Sequence, residues 1–396
     1  ASAYCAQQGC YVDMVDGPSG MTGYCVLPDG QRIEEWEFYR TNQPPTDISA
    51  ASSVDLSSDA QFGWYPSIRI GSDGNPVISH HDRAEGNLLV THCEDSRCTK
   101  NTTTVVDSTG EVGLYSSLAI GKDGFPIISH QDRLNGDLRV THCEDVACSK
   151  STTTAVDTEG DVGWDTSIAI GSDGLAIISH HDNTNGTLRV SHCNDANCTT
   201  ATSTTVDKSG EVGWYTSIAI GTDGLPVISY RDETNDDLRV AHCDDATCST
   251  ATSSTVDSSG DVGQETSLAI GKDGLPVIGH WDFSNARLRI THCSNPTCTS
   301  ADSVTIENGR QEGNHLSLTI GSDGNPLIAE VDVKFSSVWV THCQDAKCSK
   351  SETTAIDSTS TGDTSITIGE DDLPLIAIST GSKLRLSRCN NATCTA

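Results

Sequence analysis

From about residue 61 onward, short apolar runs alternate with polar turns in a pattern that returns every 50 residues. The unit at residues 211 to 257 reads EVGWYTSIAIGTDGLPVISYRDETNDDLRVAHCDDATCSTATSSTVD. Ser217 to Ile220 is an apolar run of strand length, strand a. Thr222-Asp223-Gly224 follows it, and the tolerance of glycine for positive φ suits a tight hairpin there. Strand b begins at Pro226, where proline forfeits no essential ladder donor. The polar stretch Asp232 to Asp237 leads to strand c (LRVAHC), four residues link Cys243 to Cys248, and the Ser/Thr-rich TATSSTVD forms strand d. No segment of the repeat has the 3.6-residue apolar period of a helix. Four short strands per unit of this length is the signature of a β-propeller blade. Seven units predict an all-β fold, a seven-bladed β-propeller with four strands per blade.

The seventh unit reaches Ala396 without a strand d, and Ser49 to Asp55 (SAASSVD) resembles the missing strand. Residues 48–57 are expected to complete the last blade, so that the ring has no exposed edge. The same arithmetic allows that strand to come from a neighbouring molecule. The predicted organisation is a small N-terminal domain over residues 1–45 and the propeller over 46–396, with Thr41 to Asp47 as linker.

Cysteine follows the same period through six units, and a seventh pair comes after 46 residues. The pairs Cys93/Cys98, Cys143/Cys148, Cys193/Cys198, Cys243/Cys248, Cys293/Cys298, Cys343/Cys348 and Cys389/Cys394 each stand where a bridge would staple strand c to strand d. Zinc or an iron–sulfur cluster is the rival use of such a pair, but zinc needs about four ligands in one place. Pairs spread around a ring cannot converge, so one hairpin disulfide per blade is expected. That implies an oxidising compartment, and hence a secreted, extracellular or cell-surface protein. Ala1 is expected to follow a removed signal peptide. Cys5, Cys10 and Cys25 remain, and an odd number leaves at least one of them free or bonded to another molecule.

Composition narrows the partners. The 396 residues include 55 acidic and 24 basic side chains, for a net charge of −31. A surface this acidic repels phosphate backbones, which argues against nucleic acid. No apolar run approaches the roughly 18–20 residues of a membrane span.

Residues 1–45 depart from the repeat. Tyr4-Cys5, Gly9, Gly23, Cys25, Pro28-Asp29-Gly30 and Glu35-Trp36 with Phe38-Tyr39-Arg40 resemble a small cysteine-containing family of unknown function in secreted bacterial proteins (haemolysin-type). The sequence has Ile33 where that family suggests cysteine and Cys10 where it suggests glycine. The repeats themselves resemble secreted bacterial propeller repeats of the form DGxPxISYxDxxxxxLxVAxC. That resemblance implies a seven-bladed fold and no chemistry, since propellers host lectins, hydrolases, lyases and scaffolds.

Residues that recur in every unit are most simply structural. Asp73, Asp123, Asp173, Asp223, Asp273 and Asp323 fit the a–b turn; calcium is the alternative, and it needs several oxygens on one ion. His92, His142, His192, His242, His292 and His342 precede the first cysteine of each pair and read as packed, hydrogen-bonded groups. The end of strand b is the stronger candidate. His80, His130 and His180, with Asp82, Asp132 and Asp182 two residues later, share a predicted face with the d–a loops, which carry Trp64, Tyr65, Tyr115, Trp164, Trp214 and Tyr215, then Glu265 and His315. Aromatic rings stack on sugars and carboxylates bind hydroxyls, so the tryptophans and tyrosines, with His80, His130, His180, Asp82, Asp132 and Asp182, form a candidate glycan site. Asn101, Asn185, Asn197 and Asn391 begin glycosylation sequons.

The near-identical blades suggest no singular site. The expected function is therefore non-enzymatic: an extracellular structural or assembly protein, a filament or surface-layer subunit that self-associates through its N-terminal domain. The alternatives are a lectin-like propeller that binds extracellular glycans, and an extracellular polysaccharide hydrolase or lyase. No cofactor is implied beyond possible calcium.

Overall fold

The computed structural model describes residues 5, 10–17, 20–28, 30–35, 48–57, 63–306, 314–332, 334–358 and 362–395. The Thr41 to Asp47 linker and, in the N-terminal resemblance, Tyr4, Gly9, Asp29 and Trp36 to Arg40 lie outside the described residues.

The repeat unit folds as a four-stranded antiparallel sheet whose strands pair in chain order, and there are seven such sheets among the described residues. In the first, Trp64–Ile70, Pro76–Asp82, Asn87–Cys93 and Asn101–Asp107 are strands a to d. Strand b is buried at all seven positions because it is covered on both faces by the adjoining sheets. Strand d lies outermost and leaves Thr102, Thr103 and Thr152 exposed. The last sheet takes its fourth strand from the other end of the chain: Ala51–Asp55 pairs antiparallel with Leu384–Cys389.

Apolar contact runs between sheets, with one cluster at each junction. Leu138, Val140 and Ile127 of the second sheet pack on Ile168, Ile178 and Cys193 of the third. Leu375, Ala377, Leu384 and Leu386 of the last pack on Ile68, Ile78 and Cys93 of the first, which closes the cycle. A serine repeats the closure in hydrogen bonds. Ser67 Oγ accepts the Leu118 N–H of the next sheet (3.0 Å), Ser217 Oγ accepts Leu268 N–H (3.0 Å), and Ser365 Oγ accepts Ile68 N–H (3.2 Å) across the ends. The arrangement is a propeller-like ring with its first strands at the centre.

The aspartate of the a–b turn and the histidine of strand c hold one another in six of the seven sheets. In the a–b turn, Asp123 Oδ1 accepts the Phe125 N–H (3.0 Å), and Gly124 takes φ 86°. Oδ2 of the same carboxylate receives His142 Nε2 from strand c at 2.9 Å. The pairing recurs as His92–Asp73, His192–Asp173, His242–Asp223, His292–Asp273 and His342–Asp323. These aspartates are thus engaged by a turn N–H and an imidazole.

Each sheet carries one disulfide: Cys93–Cys98, Cys143–Cys148, Cys193–Cys198, Cys243–Cys248, Cys293–Cys298, Cys343–Cys348 and Cys389–Cys394. The expected link from strand c to strand d is corrected at its second anchor. Cys98, Cys148, Cys198, Cys248, Cys298 and Cys348 lie in the c–d loop, ahead of strand d and not on it. The tightness of the loop is the reason. The second cysteine takes a left-handed conformation, with φ 50° at Cys148, 51° at Cys198, 48° at Cys298 and 54° at Cys348, which is incompatible with an extended ladder. Nor are these sulfurs surface groups. Cys198, Cys298 and Cys348 are at most 1% exposed and pack with Cys193, Cys293 and Cys343 in the clusters between sheets, so each bridge also fills a junction. The Asp145 carboxylate caps its loop by accepting the Ser149 N–H at 3.0 Å. Closing so short a loop is worth about 2 kcal/mol. Cys243→Ser with Cys248→Ser should lower unfolding free energy by about that amount in a denaturant titration; no measurable change would show that packing alone fixes the hairpin.

The N-terminal part is a three-stranded antiparallel sheet, Tyr11–Gly17, Gly20–Val26 and Arg32–Glu34. Cys5 is bonded to Cys25, and Arg32 bridges Asp13 at 2.6 Å.

Candidate functional site

Strand a begins with an irregularity that aims one side chain per sheet at the centre of the ring. In the first sheet Trp64 stands opposite His81 and Ser67 opposite Ser79, so residues 65 and 66 oppose His80 alone. This is a β-bulge, which bends the strand and re-aims its side chains. The first bulge residue has a left-handed backbone: Tyr65 φ 50°, Tyr115 52°, Asp165 49°, Tyr215 54°, Glu265 52° and His315 53°. For residues other than glycine that conformation costs about 1–3 kcal/mol and persists only when the surroundings fix it. Here the following sheet holds it, as Ser116 Oγ donates to Tyr65 O (2.8 Å) and Thr266 Oγ1 to Tyr215 O (2.7 Å). The last sheet has no such register shift, and Asp363 stands ahead of its strand a, Thr364–Ile368.

These seven side chains line one open basin of about 190 Å³. In chain order they read Tyr, Tyr, Asp, Tyr, Glu, His, Asp. At this column the repeat changes chemical class from sheet to sheet.

The two sides of the basin differ. Tyr65 and Tyr115 lie 4.7 Å apart between ring centroids, Tyr115 and Trp164 5.6 Å, and Trp164 and Trp214 6.1 Å, which makes a continuous aromatic shelf over the first four sheets. Trp164 donates its indole N–H to Asp161 (2.8 Å) and Trp214 to Glu211 (3.1 Å). Opposite the shelf, His315 Nδ1 donates to Asp363 Oδ1 at 2.7 Å, and Asp363 Oδ2 accepts the Tyr65 N–H at 3.0 Å. Asp165 Oδ2 accepts the Tyr215 N–H at 2.8 Å.

Burial and mutual repulsion tune these acids. Glu265 is pushed up to about 7, first by burial, with the charges of Asp363 and Asp165 adding to it against His315. Asp165 is raised to about 6 by burial and Asp363, although the Tyr215 N–H favours its anion. Burial opposes the charge on His315, yet the Asp363 hydrogen bond and charge outweigh it and raise the imidazole to about 9. Burial lifts Tyr65 to about 12, and Tyr115 and Tyr215 are also raised. Near neutral pH the basin therefore holds a carboxyl group that keeps its proton about half the time, a more acidic neighbour that is mostly ionised, and an imidazolium–carboxylate pair. That is an acid/base inventory.

Of the residues singled out from sequence, Tyr65, Tyr115 and Tyr215 line the basin. Trp64, Trp164 and Trp214 stand one residue earlier, on strand a and not in a d–a loop. His80, His130 and His180 do not reach the surface, being at most 1% exposed. His130 Nδ1 accepts the Gly113 N–H (3.2 Å), so its proton is on Nε2, which donates to Thr141 Oγ1 (3.0 Å). Asp82, Asp132 and Asp182 are buried and cap the b–c turns, as when Asn185 N–H and Nδ2 donate to Asp182 at 3.0 and 2.9 Å. These six residues are framework rather than ligand contacts. Among the sequons, Asn197 is exposed and Asn101 half-buried, while Asn185 is tied to Asp182 and Asn391 Nδ2 donates to Thr395 O. Among the described residues, no three His, Cys, Asp or Glu side chains gather as a metal site.

Residues 1–42 match the family described as DUF333, a domain of unknown function. No curated protein matches the chain in sequence. Solved structures share the ring. An ulvan lyase from a new family of polysaccharide lyase is similar over 85% of this chain and 95% of its own, at 10% identity and TM-score 0.55. A Penicillium chrysogenum α-L-arabinanase, complexed with arabinobiose, matches over 85% and 98%, at 10% identity and TM-score 0.51. A Dyadobacter fermentans protein of unknown function matches over 86% and 99%, at 12% identity and TM-score 0.50. At such identities the likeness bears on the fold.

The expectation of a non-enzymatic assembly subunit is corrected on two grounds. Its premise, that the blades offer no singular site, fails at the central column, where equivalent positions carry tyrosine, aspartate, glutamate and histidine. The solved structures sharing the fold also include a polysaccharide lyase and an arabinanase, so the lean away from an enzyme is unsupported.

Proposed function

We propose that the chain is an extracellular seven-bladed β-propeller enzyme that hydrolyses a polysaccharide at the basin on its axis. The observation that carries this reading is the pair of raised carboxyl groups, Glu265 and Asp165, in one basin with Tyr65 and Tyr115, at a column where the repeat changes chemical class. Sugar rings stack on Tyr65, Tyr115 and the tryptophans through their C–H faces. Glu265, with the higher pKa, protonates the leaving glycosidic oxygen; Asp165, with the lower, acts as the carboxylate partner. The His315 imidazolium, held by Asp363, donates to sugar oxygens and keeps positive charge beside Glu265. Eight disulfides support an oxidising compartment. The likeness to a polysaccharide lyase and an arabinanase agrees with a saccharide polymer as substrate.

The test is incubation of the oxidised chain with neutral and acidic polysaccharides, followed by reducing ends and by ultraviolet absorbance of unsaturated sugars. New reducing ends without that absorbance are expected. Unsaturated ends would replace hydrolysis by elimination. Binding without either product would leave a lectin, and neither binding nor cleavage would overturn the reading.

A further inference from the structure

A second column breaks the repeat beside the basin. The first residue of the b–c turn is Arg83 in the first sheet and Arg133 in the second, but Asn183, Glu233 and Phe283 in the next three. Both arginines line a cleft of about 160 Å³ with Trp64, Tyr65, His81 and Glu111, and Tyr65 belongs to the basin as well. The cleft thus shares the Tyr65 wall with the basin.

Its charge runs against that of the whole molecule. Arg83 is exposed, lies over the Trp64 ring at 5.0 Å and forms no ion pair with a described residue. Arg133 is 55% exposed and has Glu111 at 3.7 Å. Two guanidinium groups meet one carboxylate, in a chain of net charge −31. The indole N–H of Trp64 has no partner among the described residues, whereas those of Trp164 and Trp214 are held by Asp161 and Glu211. Gln61 stands in that acidic column in the first unit, so the repeat has lost a negative charge where it gains two positive ones.

The geometry points to a subsite for an anionic sugar: the Arg83–Arg133 corner takes the carboxylate or sulfate ester of the residue next to the one in the basin. This deepens the proposed function and rests on it. A guanidinium offers paired donors that match either oxyanion, and Trp64 holds that of Arg83 flat while its edge stays free. The acidic body of the protein repels a densely charged polymer. The preferred substrate is therefore a chain whose charges are spaced by neutral sugars.

Affinity electrophoresis of the full chain carrying Glu265→Gln, which binds without cleaving, tests this with two matched pairs. One pair is glucuronoxylan and its carboxyl-reduced form; the other is κ-carrageenan and its desulfated form. One anionic polymer should bind about tenfold tighter than its neutralised partner, and the pair that responds tells carboxylate from sulfate. Arg83→Gln with Arg133→Gln should abolish that preference at an unchanged thermal midpoint, and lysine at both positions should restore part of it. A preference that survives the double glutamine variant overturns the subsite. So does the lack of any preference. In the latter case, continued cleavage of a neutral polymer by the unmutated chain leaves the proposed function standing, whereas no binding and no cleavage of any polymer removes both.

Discussion

Glu265→Gln should lower kcat for polysaccharide cleavage by roughly a hundredfold to ten-thousandfold, the usual worth of a positioned general acid. Glutamine keeps the shape and the hydrogen-bonding edge of the side chain, so KM should move little. What is lost is the proton. Glu265, raised to about 7, remains largely protonated at mildly acidic pH, while Asp165, at about 6, is already mostly ionised near neutrality. Activity that needs the first protonated and the second ionised is bell-shaped, falling below about 6 and above about 7. Because the two acids repel one another, the limbs belong to the pair. Glu265→Gln should remove the alkaline limb from the residual activity, and Asp165→Asn the acid limb. A Glu265→Gln enzyme within about threefold of the parent in kcat/KM would show that no proton transfer passes through this side chain.

The frame of this protein was legible because its physics repeats. The a–b turn, the proline that opens strand b and the cysteine pair recur every 50 residues, and each carries its own reason. The site was harder to read for the same cause. His80, His130 and His180 attract notice by recurring, yet recurrence from sheet to sheet marks what a sheet needs to fold. Thr91 and its counterparts, not a ligand, are what these imidazoles bind. Asp165 and Asp363 escaped notice because a single carboxylate in a turn-rich, acidic chain is ordinary, and Tyr65, Asp165 and Glu265 look unrelated until a bulge brings them to one wall. The available signal was the opposite of recurrence: a column that changes class between a fixed glycine two positions before it and a fixed serine two positions after it in the first six units. The left-handed backbone at that column was not readable, since tyrosine and glutamate, which hold four of its six left-handed positions, do not favour it.

The same buried histidines should make the fold acid-labile well above the carboxylate range. Burial lowers His80 and His180 to about 3, and His130 and His280 to about 4. An unfolded histidine titrates near 6.5. Between those values the unfolded chain binds protons that the folded chain refuses. The stabilisation is therefore present above about 6.5 and is lost as pH falls toward 4. Asp165 and Glu265 act the other way, since their raised values let the folded state hold protons that the unfolded chain has released. Four histidines with the larger displacements outweigh two carboxyl groups, so the net slope favours unfolding in acid. The thermal midpoint should drop steadily from pH 7 to pH 4.5. The fourth sheet already contains the control. There Tyr230 replaces the histidine and donates to Asp207 at 2.6 Å, in a group that cannot gain a proton in this range. His130→Tyr, with Asp107 and Arg139 disposed as Asp207 and Arg239 are, should flatten part of the slope. His130→Gln serves if the larger ring does not fit. A midpoint constant from pH 7 to pH 5 in the parent chain would mean that these imidazoles take up protons without unfolding, and that their neutral hydrogen bonds to threonine are not what keeps the sheets together.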